Sequence, residues 1–135
     1  MYFANIGQKR LNRIRLDVSD GTPIGDFGTI ARTITPLDQW NDFTLDLEGS
    51  AWIATGGANT SQKIDARTGD VRIVAGDMKS MAIAEPTSAK FGRRECDSTV
   101  LYVTAAGGFV TPVDGDTIVG GQLVAVSTGF GRGCS

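Results

Sequence analysis

The sequence repeats itself with a period of fifty residues. Segments 1–5, 51–55 and 101–105 each place an aromatic residue second and follow it with a short apolar run, so the aromatic residues are Tyr2, Trp52 and Tyr102. Periods of this length are typical of repeat architectures, in which one small unit recurs and buries its apolar face against its neighbours. The repeat therefore constrains the fold more than any single local propensity does.

The first two periods each contain four predicted strands. An alternating segment follows each aromatic strand. In the first two repeats a third strand comes next, and a further strand precedes the second and the third aromatic segments. These additional strands are 11–17, 62–67, 122–128, 28–35, 71–76, 42–49 and 87–92. Four short strands per forty to fifty residues are typical of a β-propeller blade. A β-sandwich or meander has similar turn spacing, but recurrence of the whole four-strand order favours the propeller.

The predicted fold is all-β, a partial β-propeller of about two and two-thirds four-stranded blades. With strands lettered A to D outward from the axis, the chain reads B-C-D, A-B-C-D, A-B-C. The predicted division is a partial blade over 1–37, a full blade over 38–80 and a partial last blade over 81–135. Because propellers have four to eight blades, we expect a C-terminal fragment. Its open strand edges and blade faces predict poor solubility or self-association.

Composition excludes several function classes. Thirteen basic and fifteen acidic residues give a net charge of −2, and the basic residues are scattered, so no nucleic-acid partner is predicted. No apolar run is long enough for a membrane span, so no membrane partner is predicted either. The absence of histidine excludes Ser-His-Asp and Cys-His catalysis and imidazole metal ligands. The compartment is left open between cytoplasmic and secreted.

The two cysteines allow one disulfide. Cys96 lies in the predicted turn between strands A and B of the last blade, and Cys134 is the penultimate residue. A secreted parent protein would permit the bond, but the two positions share one blade edge only if the tail folds back. Because Cα atoms more than about 7 Å apart are not bridged without movement, free thiols are favoured.

Four segments, in their order and spacing, resemble the closing blades of a known family. Segments 41–54, 86–92, 101–108 and 120–133 are similar to the gluconolactonase/regucalcin (senescence marker protein) family, and most similar to its fungal members. The resemblance implies a six-bladed propeller whose parent protein is a divalent-metal-dependent lactone or ester hydrolase. A calcium or zinc ion on the axis would polarise the carbonyl of a small-molecule lactone or ester and activate water.

The resemblance also implies candidate metal ligands. In the family these are a glutamate near the N-terminus, an asparagine in an Asn-Gly turn and an aspartate that opens an inner strand. The first two would fall before Met1. The third is Asn41 when counted back from Asp46, or Asp42 when matched by residue type, and both could simply be turn residues. With so few ligands, this chain alone is expected to hold no metal and to be inactive.

The last blade supplies the candidate substrate-binding residues. The resemblance places the hydroxyls of Thr87 and Ser88 towards the central channel, although strand-edge hydroxyls also commonly bond to backbone. Segment 109–119 is long for a blade connection, so it either rims a binding mouth or is a passive insertion. A second hypothesis follows: a non-catalytic or repurposed propeller that binds a small molecule, with Asn41 marking the loss of the hydrolytic metal.

Overall fold

The computed structural model describes residues 1–129, which form ten β-strands in three antiparallel sheets. The strands are β1 (Tyr2–Asn5), β2 (Arg10–Leu16), β3 (Pro23–Arg32), β4 (Trp40–Leu45), β5 (Ala51–Thr55), β6 (Thr60–Ile64), β7 (Val71–Gly76), β8 (Pro86–Phe91), β9 (Val100–Ala105) and β10 (Gln122–Ser127). The sheet orders are β1-β2-β3, β4-β5-β6-β7 and β8-β9-β10. Among residues 1–129 there is no helix that could span a membrane.

The fifty-residue repeat corresponds to one strand position in each sheet. Tyr2, Trp52 and Tyr102 lie on β1, β5 and β9, and each of these strands pairs with the next one along the chain. The partners of the three aromatic residues are Arg13, Lys63 and Ala125. Strand order therefore runs B-C-D, A-B-C-D, A-B-C, and the predicted all-β partial propeller is confirmed.

Three predicted strands are displaced along the sequence, since 28–35, 42–49 and 62–67 correspond to strands at Pro23–Arg32, Trp40–Leu45 and Thr60–Ile64. The alternating segment 62–67 was expected to be a strand, but β6 covers Thr60–Ile64 and a turn follows. The Asp65 carboxylate accepts hydrogen bonds from the N–H groups of Arg67 and Thr68, and Gly69 takes φ +77°. An aspartate that bonds its own following backbone favours a turn over a ladder, so the strand ends at Ile64.

One apolar core lies between the first and second sheets and another lies between the second and third. Strand β5 contributes side chains to both cores. Ala51 and Ile53 belong to the core shared with the first sheet, whereas Trp52 and Ala54 belong to the core shared with the third. This division follows from the pleat of a strand, in which successive side chains point to opposite faces. All residues of β5 and β6 are buried, so the middle sheet is packed on both sides, as a blade between two blades must be.

Candidate functional site

The two innermost strands, β4 and β8, each carry a β-bulge at their beginning. In β4, Trp40 pairs with Thr55 and Phe43 pairs with Ile53, so two residues, 41 and 42, oppose a single partner. In β8, Pro86 pairs with Ala105 and Ser88 with Thr104, so residue 87 is the extra one. Bulges re-aim side chains and are frequent beside active sites.

The four candidate residues predicted from the sequence lie in these two bulges and are connected. The side-chain amide of Asn41 donates to the Pro86 carbonyl at 3.1 Å, and the Ser88 hydroxyl donates to Asp42 Oδ2 at 2.6 Å. Thr87 Oγ1 donates to the Thr104 carbonyl at 3.2 Å. We call Asn41, Asp42, Thr87, Ser88 and Thr104 the bulge cluster. Its members lie together, while their roles in binding stay predictions.

The Asp42 carboxylate accepts one hydrogen bond at each oxygen and lies near a lysine. Its Oδ1 accepts the N–H of Phe43 at 2.8 Å, and its Oδ2 accepts the Ser88 hydroxyl. Lys90 Nζ lies 3.7 Å from the same Oδ2 and donates to the Phe43 carbonyl at 3.0 Å. The negative charge of Asp42 is therefore balanced by Lys90, which lies on β8 in the next sheet.

The donor set of the bulge cluster does not fit a divalent-cation site on its own. Calcium takes six to eight oxygen ligands, and carboxylates supply its charge. Here Asn41 offers one uncharged amide oxygen, and Asp42 offers one carboxylate, which already accepts from Phe43 and Ser88 and lies 3.7 Å from Lys90 Nζ. Residues 1–129 contain no group of three or more histidine, cysteine or acidic residues that could hold a metal.

Sequence reasoning missed two residues that border the cluster. A Cβ on Gly56 would lie 3.1 Å from the side-chain nitrogen of Asn41 and 3.7 Å from the Pro86 carbonyl oxygen, so a larger residue would crowd the Asn41 amide. Glu85 immediately precedes Pro86 and is 8% exposed, with φ +54°. The Gly56-Gly57 pair was a visible turn signal; nothing local marked Glu85.

The connection between the B and C strands differs in the third sheet. In the first two sheets it has four residues, 6–9 and 56–59, and ends with Lys9 or Asn59 at φ of 52° or 54°. In the third sheet it runs over residues 106–121, sixteen in all. Because Ala105 pairs with Pro86, this loop begins at the same end of the sheet as the bulge cluster. The long connection predicted from the sequence therefore lies beside the candidate site.

A cavity of about 460 Å³ lies at the other end of β4 and β8, between Leu47, Trp52 and Phe91. Its neighbour Asp46 accepts hydrogen bonds from the Ser50 N–H and Trp52 Nε1, and lies 2.9 Å from Lys63 Nζ. Burial raises the pKa of Asp46, but the hydrogen bonds from Lys63, Trp52 and Ser50 outweigh it and lower that pKa overall. We assign this end to stability, because Asp46 joins the A–B turn to Trp52 on β5 and to Lys63 on β6.

Comparison with known proteins supports the fold. No family model matches the chain. A curated relative, a Sarocladium schorii protein provisionally named hetero-Diels-Alderase asR5, is 29% identical over 96% of this chain and 35% of its own length. A luciferin-regenerating enzyme superposes with a TM-score of 0.76 at 22% identity, over 99% of this chain and 43% of that one. A calcium-binding regucalcin from Agrobacterium tumefaciens superposes with a TM-score of 0.62 at 21% identity, over 98% of this chain and 43% of that one.

These proteins are what the chain is similar to, and it spans less than half the length of each. At these identities the two solved structures establish the architecture alone. They bear out the predicted propeller fold, and the 43% of each that this chain covers agrees with a partial ring.

Proposed function

We propose that this chain forms part of a propeller that binds and orients a small organic molecule at the bulge cluster, without a hydrolytic metal held by these residues. The observation that carries the proposal is the donor set at the opening of the inner strands. Asn41 is uncharged and bonded to Pro86, and the charge of Asp42 is balanced by Lys90. Such a set provides hydrogen bonds to a ligand more readily than it provides charge to a cation.

The name of the Sarocladium relative supports this proposal. A hetero-Diels–Alder reaction joins a diene to a two-atom partner in one concerted step, with a heteroatom in either component. Such a reaction needs no nucleophile and no general base. A protein accelerates it by holding both partners in reactive geometry and by donating a hydrogen bond to the heteroatom. The candidate donors in this chain are the Thr104 hydroxyl and the second N–H of the Asn41 amide, since the Thr87 hydroxyl already donates to the Thr104 carbonyl.

A second candidate is the metal-dependent lactone or ester hydrolase that the family resemblance implies. Asn41 opens an inner strand where that family places a metal ligand, and one superposed structure is a calcium-binding regucalcin. In such a parent protein the remaining ligands for calcium or zinc would come from outside this chain. The ion would polarise the carbonyl of a lactone or ester substrate.

Dihydrocoumarin separates the two candidates, since it is both an aromatic small molecule and a hydrolysable lactone. We expect it to shift the backbone amide resonances of Asn41, Thr87 and Thr104 in ¹⁵N-labelled protein, with no added metal and no ring opening. Thr87→Val is the matched control for the role of the hydroxyl in the cluster, since it removes the hydroxyl and keeps the shape of the side chain. Ring opening that depends on added calcium or zinc would favour the hydrolase, and unchanged resonances at the cluster would refute the binding site.

A further inference from the structure

We propose that the loop over residues 106–121, clamped by Glu85, is the apolar wall of this binding mouth and selects aromatic ligands over small polar ones. The inference rests on the proposed function and adds a specificity element to the same site. Its starting point is that the loop is twelve residues longer than its counterparts in the other two sheets, whereas the strands it joins keep their regular register.

Hydrogen bonds hold the loop in place at both ends and in its middle. At its base, the N–H groups of Ala106 and Gly107 donate to the carbonyls of Glu85 and Ala84 at 2.8 and 2.9 Å. Val113 and Thr117 form an isolated antiparallel bridge, and Val113 is buried. Because its backbone is bonded in this way, the loop presents its side chains in a defined arrangement rather than as an ensemble.

Glu85 ties the loop to the bulge cluster. Its Oε2 accepts the N–H of Val110 at 3.0 Å, and its own N–H donates to Asn59 Oδ1 at 2.8 Å. Glu85 lies in the left-handed region at φ +54°, an arrangement that costs a non-glycine residue free energy. The next residue, Pro86, accepts the Asn41 amide, so the clamp and the cluster are adjacent in the chain.

The clamped loop leaves four large apolar side chains exposed to solvent, and Phe109 and Val110 are the most exposed of them. Phe109 is 76% exposed and Val110 is 77% exposed. Apolar side chains on an ordered loop beside a hydrogen-bonding cluster are the usual composition of a small-molecule site, in which apolar walls supply contact area and a few polar groups fix orientation. The occupant that fits this pairing is a small aromatic or otherwise apolar molecule with one hydrogen-bond acceptor.

The test compares two ligands, dihydrocoumarin and δ-valerolactone, which share the lactone acceptor but differ in the aromatic ring. Affinities are measured by amide shift titration for the native protein, for Phe109→Ser, and for a variant in which residues 106–121 are replaced by the Gly-Gly-Ala-Asn turn of 56–59. We expect the native protein to prefer dihydrocoumarin, and both variants to lose roughly tenfold in affinity for it. Affinity for δ-valerolactone should be unchanged.

Glu85 is tested as a positioning residue through the same selectivity ratio. Glu85→Gly tolerates the positive φ and removes the clamp, so it should lower the preference for dihydrocoumarin while keeping the melting temperature. Glu85→Gln keeps an acceptor for the Val110 N–H and should restore the preference. Selectivity that survives both Glu85→Gly and the turn replacement would overturn the inference while leaving the proposed site intact. Absence of binding by either lactone would refute both.

Discussion

The second and third sheets have the same order of A, B and C strands, but they differ in how far neighbouring sheets bury their faces. Trp52 and Tyr102 are equivalent in strand position, yet Trp52 is 2% exposed and Tyr102 is 36% exposed. The middle sheet is packed on both faces, whereas β9 and β10 alternate between covered and open residues. Burial at a given blade position is thus decided by the neighbouring sheet.

The comparison also shows which features are independent of burial. Both inner strands keep their bulge at the same place, although one lies in a doubly covered sheet and the other in a singly covered one. Only the third sheet has the long connection between its second and third strands. We infer that packing of neighbouring sheets on its faces determines the stability of a sheet. The bulges and the connections between strands determine what can bind at the end of the sheet where they lie.

The equivalent aromatic residues should differ most in stability. Trp52→Ala removes a ring from the core between the second and third sheets and should cost about 3 to 5 kcal/mol of unfolding free energy. Tyr102→Ala, at the open face, should cost less than about 1 kcal/mol. Urea denaturation followed by circular dichroism measures both. Equal losses would show that the open face of the third sheet is covered in solution.

Asp46 provides the second contrast, because its equivalent in the third sheet is a glycine, Gly92. Asp46→Asn removes the carboxylate partner of Lys63, whose side chain is 9% exposed, and should cost about 2 kcal/mol. The folded-state pKa of Asp46 is lowered, so its contribution is present above the unfolded pKa of about 3.9 and is lost as pH falls through the folded pKa. Stability of the native protein measured from pH 6 to pH 2 should fall more steeply than that of Asp46→Asn.

The two bulges can be compared by adding a charge to each. Asn41→Asp replaces a donor to the Pro86 carbonyl with an acceptor and should cost about 1 to 2 kcal/mol. Thr87→Asp is the matched control in the other bulge, at a more exposed position. If calcium restores the stability of Asn41→Asp and leaves that of Thr87→Asp unchanged, Asn41 occupies a metal position. No recovery with calcium in thermal melts is expected both for the binding proposal and for a hydrolase whose remaining ligands lie outside this chain, so recovery is the decisive result.

The smallest expected effect concerns the two short connections. Lys9 and Asn59 occupy the same turn position at nearly the same positive φ. Lys9→Gly should change stability by less than about 1 kcal/mol in the favourable direction, because glycine relieves backbone strain at an exposed site. Asn59→Gly should cost about 1 to 2 kcal/mol, since the Asn59 side chain bonds the Met78 carbonyl and the Glu85 N–H. Thermal melts of the two variants give the difference directly.

Much of the fold could be predicted from sequence because its signals are local. The fifty-residue spacing of Tyr2, Trp52 and Tyr102 predicted equivalent strands, and alternation predicted the strand that follows each of them. The predicted strand at 62–67 was displaced where the Asp65 turn competed with the alternating pattern. Asn41, Asp42, Thr87 and Ser88 were singled out through the family resemblance, and they do lie together. Cys96 lies in an exposed turn, as expected, while Cys134 lies outside the described residues.

The sequence by itself determined the repeat, the strand order and the absence of imidazole chemistry, since each depends on residue identity and short-range spacing. Only the tertiary structure decided how the candidate residues are used. Asn41 bonds a carbonyl 45 residues away, Asp42 accepts from a hydroxyl 46 residues away, and Glu85 clamps a backbone amide 25 residues away. Such partners depend on how one sheet packs beside the next and on two bulges that shift the parity of a strand. No local pattern in the chain encodes either.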